Sequence, residues 1–293
     1  SPFPAIAFAH SMRVIALSRY AIKGLSPDSL ESVVLDCPGA TFPDDRRYAL
    51  IKSGNDFDPE NPEWIHKEKF LCAFTAAELL AGYDTQYVDA TRELTVWKRD
   101  ADGGCGGRRD ALLGPVDLSS SSGRDEAASF FEMESGMSLS LVTKDGPEHT
   151  HQFGNTRSGV RSTGDTRTVH IVNAATVAEV GAAIGHPIAP SRFRPNIVVE
   201  GLEAWKEFEA VGHTLEVCRG GEDGGRRLKF DVVARTVRCD GIGVDPLDPS
   251  VPPLDMPKLI AQHFPEHGPY LGVYAVVTDP GDIKIGDELS FEL

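Results

Sequence analysis

Apolar and polar residues alternate along Met12-Arg-Val-Ile-Ala-Leu-Ser-Arg-Tyr-Ala-Ile-Lys23, and the run breaks at Gly24-Leu-Ser-Pro27. A period of two marks a strand with one buried face. Short runs of the same kind follow at residues 30–35, 47–52, 87–91 and 93–97, and again at 168–173, 196–200, 213–217, 228–233 and 271–277. Many short strands separated by turn residues predict β-meander or barrel material. Helices are expected over 70–81, within 127–137, over 175–184 and between 253 and 263. The expected fold is mainly β with peripheral helices, in two lobes. Residues 1–11 read as a tag remnant or N-terminal extension, with folding expected to begin near Met12. A first domain is expected over 12–98 and a second over 127–293. The Gly- and Ser-rich stretch 99–126 between them reads as a flexible linker or insertion, dispensable for folding.

The chain has 293 residues, enough to bury a sizeable core without disulfides. It carries 29 Lys and Arg against 44 Asp and Glu, a net charge of −15, which disfavours a nucleic-acid or anionic-membrane surface but not a local basic pocket. No apolar run reaches the ~18 residues of a membrane span. The opening residues lack the basic flank of a signal peptide. Five cysteines with no C-x-x-C spacing make neither a disulfide framework nor a structural zinc site, so a reducing, cytoplasmic setting is expected.

Walker A, G-x-S-x-G, His-Glu-x-x-His and G-x-G-x-x-G motifs are absent. Two islands remain. Arg192-Phe-Arg-Pro-Asn-Ile-Val-Val199 sets two guanidinium forks and an amide beside a proline-rigid turn. Read alone, it fits an anion-binding corner or a solvated turn. Arg238-Cys-Asp-Gly-Ile-Gly-Val-Asp-Pro246 places a cysteine beside a cation and two glycines, which suits a nucleophilic or metal-ligating thiolate, or equally a buried structural cysteine. His149-Thr-His151 is most simply a polar loop.

These islands resemble the MOSC family with its N-terminal β-barrel domain, the broad group that includes the mitochondrial amidoxime-reducing component. Residues 192–197 resemble its pterin-side motif, and 238–246 the segment with its metal-ligating cysteine. Gly268-Pro-Tyr-Leu-Gly-Val-Tyr-Ala275 and Pro280-Gly-Asp-Ile-Lys-Ile-Gly-Asp287 resemble its closing strand and ending. Arg19-Tyr-Ala-Ile-Lys-Gly24 and Asp45-Arg-Arg-Tyr48 resemble signatures of the N-terminal domain. The sequence departs from the family at Gly24, Asp44 and Val237.

The resemblance implies a molybdenum cofactor (Mo-molybdopterin), with Cys239 as metal ligand and catalytic residue; Asp240, next to it in sequence, is a candidate proton carrier by position. Lys23, Arg46, Arg194 and Asn196 would hold the pterin or its phosphate, with Asn173 and Thr176 nearby. Lys23 and Arg194, from opposite ends of the chain, must then converge in a pocket between the lobes. The implied activity is an oxidoreductase acting on N-hydroxylated or N-oxide small molecules. Because the chain has no C-x4-C-x2-C iron–sulfur pattern, a separate electron-donor protein is implied. The alternatives are sulfur transfer or carbon–sulfur bond cleavage by Cys239 as thiolate or persulfide, and a non-catalytic cofactor carrier.

Overall fold

The computed structural model describes residues 9–99, 110–146, 150–154, 167–218, 228–248 and 250–292. The first strands are β1 (Ala9–Arg19), β2 (Asp28–Leu30), β3 (Ser32–Leu35), β4 (Ala49–Lys52) and β5 (Phe70–Leu71). Helix α1 (Ala77–Ala81) leads to β6 (Tyr83–Val88), β7 (Glu93–Lys98) and β8 (Leu113–Asp117). Then come α2 (Ser121–Ser135), β9 (Leu139–Val142), β10 (Val169–Asn173), α3 (Ala174–Ile184) and β11 (Ile197–Glu200). The chain ends with β12 (Thr214–Cys218), β13 (Lys229–Val237), α4 (Met256–His263), β14 (Tyr270–Asp279), β15 (Gly281–Lys284) and β16 (Glu288–Glu292).

Seven strands close a barrel in the order β11–β10–β14–β13–β12–β16–β1, with β1 returning to β11. All neighbours are antiparallel except β10 and β11. Alternation drives the closure: Met12, Val14 and Leu17 point from β1 into the core shared with Ile197, Val199, Phe230, Val232, Leu289 and Phe291. Strand β10 is buried along its whole length. Helix α3, which starts directly after it, supplies the cover with Val177 and Val180, and α4 adds Met256 and Ile260. Burial on both faces is what a covered parallel pair requires, and here His170 and Asn173 are the buried polar members of the run.

A second core joins the sheet β5–β4–β9 to the sheet β6–β7–β8. Helix α2 seals it with Ala127, Phe130 and Phe131, and both phenylalanines meet the Tyr83 ring edge-on.

Several expectations are corrected here. The stretch 99–126 is not a linker over its described part. β8 pairs with β7, Leu113, Val116 and Leu118 are buried, and the serine run opens a helix, Ser120 Oγ accepting from Gly123 N at 3.1 Å. Serines at a helix N-cap mimic linker composition. Residues 100–109 lie outside the described residues. Residues 9–11, assigned to an extension, form strand with Ala9 opposite Glu292. The division at 98 and 127 does not follow the hydrogen bonding: β1 belongs to the C-terminal barrel, β3 pairs with β15, and α2 and β9 pack with residues 21–118. Residues 70–81 form a short strand and a one-turn helix rather than one helix.

Asn173 and Thr176, expected beside a cofactor, are spent at the far end of β10. Asn173 caps α3, accepting from Ala175 N, and donates to Glu203 O and Glu207 Oε2. Thr176 Oγ1 donates to Glu207 Oε2 at 2.8 Å and accepts from Trp205 N. Burial pushes the Glu207 carboxyl up to about 7, although these two donors pull it back.

Two expectations follow from this packing. Replacing residues 113–123 with a Gly/Ser linker removes three buried apolar side chains, each worth roughly 1.5–3 kcal/mol. The melting temperature should fall by more than about 10 °C; an unchanged value would show that the segment does not support the core. The folded protein holds the Glu207 proton more tightly than the unfolded chain does, so stability is fullest at low pH and is lost as pH rises toward and through about 7. Glu207→Gln should therefore gain on the parent by up to about 3 kcal/mol between pH 5 and 8. Parallel thermal-unfolding curves across that range would contradict the assignment.

Candidate functional site

Strand pairing decides what meets at the site. β1 runs antiparallel to β11 with Leu17 opposite Ile197, so the exit of β1 lies beside the entry of β11. Lys23 follows the first and Arg194 precedes the second. β10 runs parallel to β11, with Ile171 opposite Ile197, which starts His170 from the same place. Asn196 ties the three together: its Oδ1 accepts from His170 N at 3.0 Å and its Nδ2 donates to Ser18 O at 3.2 Å. Arg46 joins because residues 20–23 pair with 46–48, with Arg46 N donating to Tyr20 O and Lys23 N to Tyr48 O. Val237 ends β13, and the chain then tightens into a 3-10 turn over Asp240–Ile242. That change of path lets Arg238 and Cys239, neighbours in sequence, both face one cavity.

The cavity measures about 450 Å³ and is lined by Lys23, Arg46, Lys67, Arg194, Arg238, Cys72 and Cys239 together with aromatic residues and His170. Five cations and no carboxylate therefore line it among the described residues. Asp45, fully buried behind the wall, bonds to Arg46 and accepts from Tyr20 N and Gln152 Nε2. The Arg46 and Arg194 guanidinium carbons lie 5.0 and 4.2 Å from the Tyr20 ring centroid. Burial, with Arg46 adding to it, pulls Arg194 down to about 10, so it stays charged at neutral pH. Burial likewise lowers Lys23, reinforced by Arg46 and Arg194. Both Arg46 and Arg194 hold left-handed backbone, at φ 53° and 54°. Such strain costs on the order of 1–3 kcal/mol per residue and concentrates at functional positions.

Burial, then the Arg238 charge, keeps His170 well below its usual range, hence neutral. Its Nδ1 faces Arg194 O at 3.3 Å and its Nε2 faces Arg238 Nη1 at 3.5 Å. The Nδ1–H tautomer would donate to that carbonyl and present Nε2 to the guanidinium. Arg238 Nη2 also donates to Phe193 O at 2.9 Å. Yet Arg194 Nη2 and Arg238 Nε are buried without a partner. Leaving a buried donor unmade costs about 1–3 kcal/mol, more when it is charged. An anion in the cavity would relieve this cost.

The loop carrying Cys239 is pinned from below. Arg192, 2% exposed, donates from Nη1 to Gly243 O at 2.8 Å and from Nη2 to Asp245 Oδ2 at 2.7 Å. Gly24 explains one departure from the family pattern. Its φ is +97°, and a Cβ there would sit 2.7 Å from Cys72 Cα, so serine does not fit.

Of the residues expected from sequence, Lys23, Arg46, Arg194 and Cys239 line the cavity. Asn196 does not: both ends of its amide are consumed in bracing strands. Asp240 is exposed and lines a neighbouring groove with Glu78 and Asp255, because the 3-10 turn carries it away from Cys239. Asn173 and Thr176 lie with Glu207 instead. His149 is outside the described residues, while His151 stands in the cavity wall. From sequence, Arg238 is expected only as the cation beside Cys239, and His170 only, through the family resemblance, as a polar residue near the cofactor; both line the cavity. Cys72 and the aromatic residues between 64 and 74 carry no local signal.

Comparisons with known proteins bear on the barrel. The MOSC domain family matches residues 158–290. No curated protein matches the sequence. Among solved structures, the chain is similar to the YUAD protein from Bacillus subtilis, at 11% identity over 98% of each chain with a TM-score of 0.38. It is also similar to YiiM from Geobacillus stearothermophilus, at 19% identity over 42% of this chain and 53% of that one, with a TM-score of 0.31. No helix among the described residues is long and apolar enough to cross a membrane. MOSC domains are associated with binding of the molybdenum cofactor. The closed barrel and its matched strands agree: residues 158–290 are a MOSC domain, to which β1 contributes one strand from outside the matched range.

Proposed function

We propose that the cavity holds the molybdenum cofactor and that the protein is an oxidoreductase of the amidoxime-reducing kind. Its substrates would be N-hydroxylated or N-oxide small molecules, and its electrons would come from a separate redox protein. The observation that carries this reading is the wall itself: five cations, two thiols and no carboxylate among the described lining residues, in a chain of net charge −15. The unpartnered donors of Arg194 and Arg238 fit a phosphate-bearing ligand, and a free Cys239 thiol fits a soft metal.

Lys23, Arg46, Arg194 and Arg238 would hold the pterin and its phosphate, and Cys239 would ligate the metal. When bound, the cofactor supplies a metal centre that exchanges electrons and an oxygen atom with the substrate. The chain's own residues do the positioning. His170 orients the Arg238 guanidinium without adding charge, Asp45 fixes Arg46, and Arg192 holds the Cys239 loop at a set distance from the barrel.

One observation favours a second reading. Cys72 lines the same cavity as Cys239, so two thiols share one pocket with Lys23. Sulfur transfer through Cys239 uses that arrangement without a metal.

Metal and pterin assay of the purified protein, combined with thiol labelling, separates the readings. The oxidoreductase reading expects about one molybdenum per chain and a Cys239 that iodoacetamide reaches only after the cofactor is stripped. Rapid labelling of Cys239 in cofactor-replete protein would remove it as the ligand. No metal with sulfane sulfur on Cys239 supports sulfur transfer; bound cofactor with no turnover of any N-oxygenated compound supports a carrier. Arg194→Ala should cost a charge-assisted bond of roughly 1.5–3 kcal/mol, lowering cofactor affinity about 10- to 100-fold in a folded protein. Arg192→Met should leave the pterin bound but expose Cys239 to labelling; retained protection would show that Arg192 does not position the loop.

A further inference from the structure

The cofactor reading employs Lys23, Arg46, Arg194, Arg238 and Cys239, and leaves another part of the wall without a role. Trp64, Phe74, His151 and Phe153 line the same cavity, from segments outside the MOSC match. The rings brace one another: His151 meets Phe153 edge-on at 4.6 Å, and Phe57 lies 5.2 Å from Phe153. Phe153 is buried by this packing, while Trp64, Phe74 and His151 keep partial exposure. Burial, with Lys144 adding to it, pulls His151 down to about 4, so at neutral pH it is an uncharged ring. Lys67 places its ammonium 3.5 Å from the centre of the Phe74 ring and has no carboxylate within ion-pair distance among the described residues. His66 beside it is exposed, which puts this segment at the rim.

We propose that Trp64, Phe74 and His151, with Lys67 at their edge, form a substrate subsite for a flat aromatic group bearing one negative charge. The proposal rests on the reading that the deeper cations are taken by the cofactor. Aromatic faces bind a planar ring by stacking or edge contact, without regard to its heteroatoms. With the deeper cations taken by the cofactor, the charge preference comes from Lys67, which repels a cationic ring and attracts an anionic one. A neutral ring gains the stacking alone.

Three isosteric probes read the charge term directly: 2-naphthoate, 2-naphthamide and 2-naphthylmethylammonium. Each is titrated by calorimetry into the purified full-length protein, with molybdenum and pterin assayed on the same sample. In cofactor-replete protein 2-naphthoate should bind about tenfold tighter than the amide, and the ammonium should not bind measurably. Lys67→Met should bring 2-naphthoate down to the affinity of the amide, leaving the amide and the cofactor content unchanged. Trp64→Ala should weaken both. Equal binding of 2-naphthoate and the amide, or Lys67→Met without effect, overturns the proposal. So does 2-naphthoate binding confined to cofactor-free protein, which would assign the anion to the deeper cations and the aromatic wall to the pterin. Lys67-dependent binding in protein that never holds molybdenum would instead overturn the cofactor reading and keep the subsite.

Discussion

The structure depends on the pairing of β1 with β11. Without it the sheet would stay open, with β11 unpaired at one edge and β1, flanked only by the short β2, at the other, an aggregation-prone arrangement that closure abolishes. With it, strands distant in sequence share a ladder in which Arg13 faces Glu200 and Leu17 faces Ile197. The same pairing fixes the site, because the residues after β1 and those before β11 have nowhere to go but toward each other. Asn196 locks that junction, so its amide is a structural clamp whose loss would loosen Lys23 and Arg194 together.

Charge is the second constraint. An acidic protein has gathered guanidinium and ammonium groups around one cavity, with strained backbone at Arg46 and Arg194 and buried donors left unmade. Such costs persist only where surrounding structure over-determines them. Here the barrel, the buried Asp45 and the Tyr20 ring do so, holding the cations close to one another. Neutral His170 belongs to the same economy, since a protonated imidazole between Arg194 and Arg238 would add a further repulsion.

The barrel strands were legible because each carries its own alternation or apolar run; β1, β10, β11 and β14 could be placed within a few residues. What alternation cannot convey is partnership. Nothing local to Met12–Lys23 says that this strand completes a barrel built from the other end of the chain, and hence the expected division of the sequence separated it from its partners. The serines at 119–122 show a different limit, since the same residues serve linkers and helix caps, and only the burial of Phe130 and Phe131 decides between them. In the site, Lys23, Arg194 and Cys239 came from motif resemblance and do share the cavity. Asn173, Thr176 and Asn196 came the same way, and Asp240 from its place beside Cys239, yet none of them lines it, because a polar residue near a motif is as readily consumed by a cap, a strand clamp or a turn. The aromatic wall and Cys72 were illegible: they reach the cavity only through the fold of residues 57–74 and 150–154, which have little regular structure.

The central claim is that this cationic cavity presents Cys239 to a molybdenum centre. X-ray absorption at the molybdenum edge, recorded on cofactor-loaded protein and on Cys239→Ser, tests it at the atom concerned. The account predicts one sulfur fewer in the metal's first coordination shell of the variant, with the pterin still bound through Lys23, Arg46, Arg194 and Arg238. An identical sulfur shell in the two proteins would contradict it.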